Sequence, residues 1–195
     1  MKPLNIVTGE ALSLPLPDID TDIIYPARFL LITEREGLGK YAFADRRGDE
    51  GFPIAKDQEF APPILVAGPN FGGGSSREHA PWALDGMGIR VVIAPSFGDI
   101  FYGNCFKNGM LPIRLDADVV AKLHEAANAG TPFTVDLEAQ EIRVEGLDAI
   151  KFDVSPVHRE TLLNGWTEVT RILTLHSDDI AAFETRQRAA APWLW

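Results

Sequence analysis

Apolar and polar positions along this chain switch between two spacings, which predicts strands alternating with helices. Strands are predicted at residues 64–67, 90–94 and 111–115, and the continuous apolar runs at 64–67 and 91–94 are typical of parallel strands that are buried on both faces. Helices are predicted between these strands, one ending near residue 85 and one over 97–106, each followed by glycine. This order of strand, helix, strand, helix and strand indicates right-handed βαβ crossovers.

The flanking regions predict further elements around this centre. Short strands are expected within residues 4–16, a helix from Asp116 or Asp118 to Asn128, and a hairpin over 133–137 and 142–144. Pro156 to Asn164 predicts a helix ended by Gly165. Residues 169–175 predict a strand, residues 177–190 a last helix, and residues 191–195 an apolar tail. The chain is therefore predicted to be one α/β domain over residues 1–195.

Residues 27–63 have the least regular pattern, with many charges, prolines and glycines. A long loop of this kind inside a compact domain is often a lid or a binding loop. Just before it, Asp18, Asp20 and Asp22 stand at alternate positions. A calcium loop would need a glutamate at its twelfth position, where Phe29 stands. We interpret the three acids as a loop that caps a helix or turn after Pro26.

Composition excludes several classes of function. The 195 residues carry a formal charge of −10, so a basic footprint for nucleic acid is absent from the sequence. Apolar runs are too short for a membrane span, and the first residues do not resemble a secretory signal. The single cysteine, Cys105, excludes an internal disulfide and a thiolate-built cluster, and is expected to be buried. The cytoplasm is the expected compartment.

A glycine-rich turn follows the first of the central strands: Phe71-Gly72-Gly73-Gly74-Ser75-Ser76-Arg77-Glu78-His79. A turn between a strand and a helix N-terminus favours anions, because free N–H groups and the helix dipole point toward it. Arg77 adds a cation that can bind a carboxylate with two hydrogen bonds. A P-loop, a dinucleotide fingerprint and a nucleophile elbow are each excluded, the first by the missing lysine and the other two by Arg77 at a required glycine.

The start of the helix after this turn has two interpretations. Ser75 and Glu78 form a capping-box pattern, which would make Ser75 the N-cap. Pro81 would then fall in the second turn, where its missing N–H is costly. A start near His79 or Ala80 places Pro81 in the first turn and leaves both serines in the loop.

The turn and the residues after it resemble the small-subunit family of 3-isopropylmalate dehydratase, which is related to the swivelling domain of aconitase. The resemblance lies in residues 71–84 and 91–113 and extends to Asp20-Thr21-Asp22 and Asp178-Asp179-Ile180. It implies a swivelling β/β/α domain with βαβ units, a mixed sheet or barrel core and flanking helices. Residues 31–62 would then form a substrate loop, and residues 177–195 a C-terminal helix and tail.

The resemblance also implies a hydro-lyase that isomerises 2-isopropylmalate in leucine biosynthesis and is active only with a large subunit. This chain would bind no cofactor, and a 4Fe–4S cluster would lie on the large subunit, where it would act as the Lewis acid. Carried over residue by residue, Ser75 is the expected base and Arg77 binds a substrate carboxylate. Ser76, Gly73 and Gly74 position the turn. Arg35 is expected to pair with the second carboxylate of a small hydroxy dicarboxylic acid.

Two departures from the family pattern affect these expectations. Gly73 stands where the family usually has cysteine, which is not a cluster ligand there. Glu34 and Glu36 flank Arg35 in place of the usual threonines. The substrate could therefore be a related acid: citramalate, dimethylmalate or homocitrate. Other hypotheses are a non-enzymatic acid-binding module and a serine hydrolase.

Three further residues near the turn carry weaker predictions. His79 is expected to brace the turn rather than transfer protons. Lys107 and Asn108 end the second helix and are predicted to lie near the carboxyl ends of the strands, where sites of α/β proteins gather. The alternative is that Asn108 is the C-cap of the helix and Lys107 pairs with the helix dipole.

Overall fold

A computed structural model of the chain describes residues 1–32, 34–74 and 77–195. A four-stranded parallel sheet contains β2 (Ala11–Leu14), β3 (Ile64–Ala67), β4 (Val91–Ala94) and β5 (Leu111–Arg114), in that order. Every residue of β2, β3 and β4 is buried, because the sheet is covered on both faces. The three strands that the sequence predicted here are confirmed.

A second sheet is antiparallel and contains β1 (Ile6–Gly9), β6 (Phe133–Asp136), β7 (Glu141–Val144) and β8 (Ile150–Lys151), in the order β1-β6-β7-β8. The predicted hairpin is confirmed, with Phe133 opposite Val144. Buried and half-buried residues alternate along β6, because one face of this sheet packs on the core. The parallel and antiparallel strands therefore lie in two sheets of one α/β domain.

Seven α-helices are found among the described residues. They are α1 (Thr21–Ile24), α2 (His79–Gly86), α3 (Asp99–Lys107), α4 (Ala117–Asn128), α5 (Pro156–Asn164), α6 (Glu168–Leu175) and α7 (Ser177–Ala190). Single 3-10 turns occur at Ala27–Phe29, Leu38–Tyr41 and Pro192–Leu194. Within the described part of the chain, none of the helices is both long and apolar enough to cross a membrane.

The hydrophobic core lies on both faces of the parallel sheet. On one face Leu65 and Val92 pack with α2, α3 and residues 38–54. On the other face Ile64 and Val91 pack with the antiparallel sheet, α4 and α5. Adjacent strand residues point to opposite faces, so the continuous apolar runs serve two cores.

The middle of the long irregular region belongs to the first core. Leu38, Phe43 and Ile54 are fully buried there. The guanidinium of Arg47 donates to the carbonyl oxygens of Ala42, Gln58 and Gly39 at 2.6, 2.7 and 2.7 Å. Burial lowers the pKa of Arg47. Residues 34–37 are exposed, so the part of the region that can meet a ligand is smaller than its length suggests. The substrate loop over 31–62 stays a prediction, and Thr33 lies outside the described residues.

Two predictions about helices are wrong. Residues 169–175 form the helix α6 instead of a strand. Thr167 caps this helix through a reciprocal bond with Thr170, and Val169, Ile172 and Leu173 follow helical spacing as well as strand composition. The segment with three acids caps a helix before Pro26, not after it, since the side chain of Asp20 accepts from the N–H of Ile23 at 2.7 Å.

Candidate active site

The glycine-rich turn leaves the carboxyl end of β3 and enters α2, which begins at His79. The later helix start is therefore the correct one, and Pro81 lies in the first turn, where the missing N–H is tolerated. The helix does not begin at the capping-box pattern that starts at Ser75. Ser75 and Ser76 lie outside the described residues, so the structure does not test their predicted roles.

The backbone of the turn requires glycine at one position and tolerates a side chain at the next. Gly72 has φ of 72°, and a Cβ there would overlap the ring of Phe101. Gly73 lies outside the left-handed region, and a Cβ there would meet the amide of Asn70 at 3.4 Å. The Cβ of a cysteine, the usual family residue, therefore has room at Gly73.

The early acidic segment holds this turn through its backbone. The N–H of Gly72 donates to the carbonyl of Ile19 at 2.7 Å, and the N–H of Thr21 donates to the carbonyl of Gly73 at 2.9 Å. Asp20 and Gly73 accordingly pair as an isolated parallel bridge. Residues more than 50 positions apart thus form one unit, which fixes the path of the glycine run.

Two carboxylates of the same segment contact side chains of the turn. Asp18 accepts from the amide of Asn70 at 2.8 Å, and both residues have left-handed φ, 54° and 57°. Asp22 accepts from the guanidinium of Arg77 at 2.6 Å. Residues in such sparsely populated conformations persist only where their surroundings fix them. The segment with the three alternate acids therefore holds the turn in place through hydrogen bonds. The sequence alone did not reveal this role.

Arg77 lies where its charge can serve a ligand at the turn. Its side chain is 29% exposed, and the pairing with Asp22 orients the guanidinium. Gly74, the last residue described before the two serines, is exposed. The structure thus brings Arg77, Gly73 and Gly74 together at the carboxyl edge of the parallel sheet.

His79 packs between two aromatic rings at the start of α2. It stacks on Tyr25 with centroids 5.5 Å apart and contacts Trp82 at 5.0 Å. The Tyr25 hydroxyl donates to the carbonyl of Phe29 at 3.0 Å, and burial raises the pKa of Tyr25. This packing joins the start of α2 to the residue after α1, and the bracing role of His79 stays a prediction.

Arg35 lies away from the turn. Its guanidinium is 3.5 Å from the carboxylate of Asp85 and 5.8 Å from the ring centre of Trp82. Asp85 belongs to the last turn of α2, about 9 Å along the helix axis from His79. In this structure Arg35 and Arg77 are at opposite ends of one helix. The contact of Arg35 with a substrate stays a prediction.

Lys107 and Asn108 do not lie at the edge of the sheet that the sequence predicted. They end α3 just before β5 begins, beside Arg90, which donates to the carbonyl of Gly109 at 3.2 Å. Arg90 precedes β4, so this is the amino edge of the sheet. Asn108 accepts from the indole of Trp82 at 2.7 Å and caps the helix.

Among the described residues, no group of three or more histidine, cysteine, aspartate or glutamate side chains could hold a metal ion. Cys105 is fully buried, and burial raises the pKa of its thiol well above the usual value. This donor set does not fit an iron–sulfur cluster, which needs several accessible thiolates.

The two sheets and the strand–turn–helix unit define a domain of the aconitase type. The family model described as the aconitase C-terminal domain matches residues 1–118. The model described as LeuD_N matches residues 122–156. The model for the C-terminal domain of the 3-isopropylmalate dehydratase small subunit matches residues 173–194. Together these matches extend over most of the chain.

Curated relatives narrow the class to one family. The 3-isopropylmalate dehydratase small subunit of Rhodospirillum centenum is 50% identical, over 99% of this chain and 98% of that protein. The protein of the same name from Bacillus pumilus is also 50% identical, over 100% of this chain and 99% of that protein. The crystal structure of 3-isopropylmalate dehydratase (leuD) from Methanocaldococcus jannaschii is 33% identical, with a TM-score of 0.70, over 89% of this chain and 99% of that one. The chain belongs to the family of 3-isopropylmalate dehydratase small subunits.

Proposed function

We propose that this chain is one half of a two-chain hydro-lyase that interconverts 2-isopropylmalate and 3-isopropylmalate in leucine biosynthesis. The names of the relatives support this, since they describe the small subunit of that dehydratase over the full length of this chain. In this proposal the chain is active only with a large subunit. The 4Fe–4S cluster would belong to that large subunit, because Cys105 and the described acids of this chain do not form a cluster site.

The observation that carries the proposal is the fixed position of Arg77 beside the glycine run. Asp22 orients the guanidinium, and the backbone pairing of Thr21 with Gly73 holds the run next to it. Arg77 would bind one carboxylate of the substrate through two hydrogen bonds. The carbon next to that carboxylate would then face the turn that carries Ser75.

Ser75 would accept the proton from that carbon. A serine hydroxyl is too weak an acid to ionise without help, and each unit of pKa shift needs about 1.4 kcal/mol. One neighbouring cation supplies roughly 1–3 units, so Arg77 alone is insufficient. The remaining stabilisation would come from N–H donors of the turn, including Ser76, in a site from which the large subunit excludes water.

The identity of the acid depends on the exposed residues around Arg35. Glu34 and Glu36 add negative charge beside the arginine that is expected to bind the second carboxylate. This charge favours testing related acids beside isopropylmalate, namely citramalate, dimethylmalate and homocitrate. Absorbance of the unsaturated product compares these substrates directly.

Replacement of Ser75 tests the proposed base. Ser75→Ala, mixed with the cognate large subunit, should lower kcat by about 10²- to 10⁴-fold, the usual contribution of a positioned base. Association of the two chains should be unchanged. Ser177→Ala, an exposed serine at the start of α7, is the matched control and should keep full turnover.

Two outcomes would contradict the proposal in different ways. Near-normal turnover of Ser75→Ala would exclude Ser75 as the base. A wild-type pair that associates, binds carboxylates and turns over none of the acids would favour a non-enzymatic acid-binding module instead.

A further inference from the structure

The last two helices and the tail expose an unusual amount of apolar surface. Neither α6 nor α7 contains a buried residue. Of the thirteen large apolar residues that the described chain exposes, eight lie between positions 169 and 195. We call Val169, Ile172, Leu173, Phe183 and Trp193 the C-terminal apolar face. Val169 and Ile172 line one groove, and exposed apolar patches on a protein surface mark interaction sites.

A groove is lined by Val169 and Ile172 of this face and by Glu78, which precedes α2. It has a volume of about 610 Å³ and lies between α3, α5 and α6. Phe106, Val157 and Ile172 form part of its apolar wall, and Glu78 is among its polar lining residues. Glu78 directly follows Arg77, so the groove includes a neighbour in sequence of the candidate site.

The charge of this region suits burial against another protein. Residues 156–195 carry five acidic and four basic side chains, whereas the whole chain has a net charge of −10. The excess negative charge therefore lies almost entirely outside the C-terminal region. A region with little net charge adds little like-charge repulsion to an association with another protein.

We propose that the C-terminal apolar face and its groove bind the large subunit. This inference rests on the proposed function, which requires the large subunit to cover the turn at Gly74 and Arg77. A partner that covers Arg77 also lies next to Glu78, which lines the groove. A second copy of this chain in the groove would instead occupy the edge that the large subunit must cover.

A pair of substitutions with equal exposure tests this interface. Ile172 on the groove wall is 52% exposed, and Ile6 on the antiparallel sheet is 59% exposed. Ile172→Glu should weaken binding of the cognate cluster-bearing large subunit by roughly 30-fold or more, as for a central interface residue. Ile6→Glu should bind like the wild type. Calorimetric titration measures both affinities, and circular dichroism checks that both variants melt like the wild type.

Turnover separates this inference from the proposed function. When the large subunit is saturating, Ile172→Glu should regain wild-type kcat, because the turn is unchanged. If the wild type binds the large subunit through Ile172 but turns over none of the acids, the proposed function fails and the interface stands. If the wild-type pair is active but Ile172→Glu binds as tightly as Ile6→Glu, the interface is overturned.

Sedimentation of the chain alone tests whether a second copy of this chain, instead of the large subunit, binds the groove. The wild type is expected to be monomeric at concentrations where it binds the large subunit. A wild-type dimer that Ile172→Glu converts to a monomer, with unchanged affinity for the large subunit, would assign the face to a second copy and overturn the proposal.

Discussion

In the glycine turn, backbone hydrogen bonds and close contacts hold the described residues from Gly72 to Gly74, whereas the last two helices contain no buried residue at all. The turn is fixed from inside the chain by the segment around Asp20. The C-terminal face has no comparable support within the described chain. Substitutions in the first region should therefore alter stability or turnover. Substitutions in the second should mainly alter association.

The largest expected effect comes from the backbone of the turn. Gly72→Ala places a Cβ on the ring of Phe101 and forces an L-residue into the left-handed region, so we expect a loss of roughly 3 kcal/mol in unfolding free energy. Gly73→Ala is the control and should change the unfolding free energy by less than about 1 kcal/mol. Urea unfolding measures both. Equal losses would mean that the turn is not fixed by Phe101.

A smaller effect is expected from the partner of Arg77. Asp22→Asn keeps a hydrogen-bond acceptor but removes the charge that orients the guanidinium, so kcat/KM should fall about 10-fold, or about 1.4 kcal/mol. Asp45→Asn removes an ion pair with Arg28 of equal exposure, 52% against 53% for Asp22. Activity that fell equally in both variants would show that Asp22 has no special role at the turn.

A modest effect of pH on the stability of the chain is expected from His158, which lines the groove. His158 stacks on Phe106 with centroids 4.0 Å apart, and burial lowers the pKa of His158. The neutral ring therefore contributes stability that is fully present above the unfolded pKa of about 6.5 and is lost as pH falls through the folded-state value. His158→Phe keeps the stack without titrating.

The measurement compares melting temperatures of the two proteins between pH 7.5 and 5.5. The melting temperature of His158→Phe minus that of the wild type should increase as the pH falls. A difference in melting temperature that stayed constant with pH would show that His158 does not contribute to the pH dependence of stability. The pKa of His124 is also lowered by burial, but this residue is present in both proteins, so its effect on the difference in melting temperature cancels.

The smallest effect is expected from removal of the last helix. Deletion of residues 177–195 should change the unfolding free energy by less than about 1 kcal/mol, because no residue of α7 is buried. Calorimetric melting measures this. A loss of several kcal/mol would show that the C-terminal region supports the core and is not a separate surface.

Elements with continuous or strictly alternating apolar residues could be predicted from the sequence alone. The parallel strands at residues 64–67 and 91–94 and the hairpin at Phe133 followed from burial on two faces or on one. Residues 169–175 could not be predicted in this way. Their β-branched residues suit a strand, and only the cap at Thr167 and the exposed position of the segment favour a helix.

The sequence by itself determined the domain class and the part of the chain that is proposed to carry the site. Glycine, serine and arginine at adjacent positions after a buried strand are local signals, because each restricts the backbone or the charge where it stands. The pairing of Asp22 with Arg77, of Asp18 with Asn70, and of Arg35 with Asp85 was decided only by the tertiary structure. These contacts join segments up to 55 positions apart, and no local pattern encodes which distant side chain the fold will bring within hydrogen-bond distance.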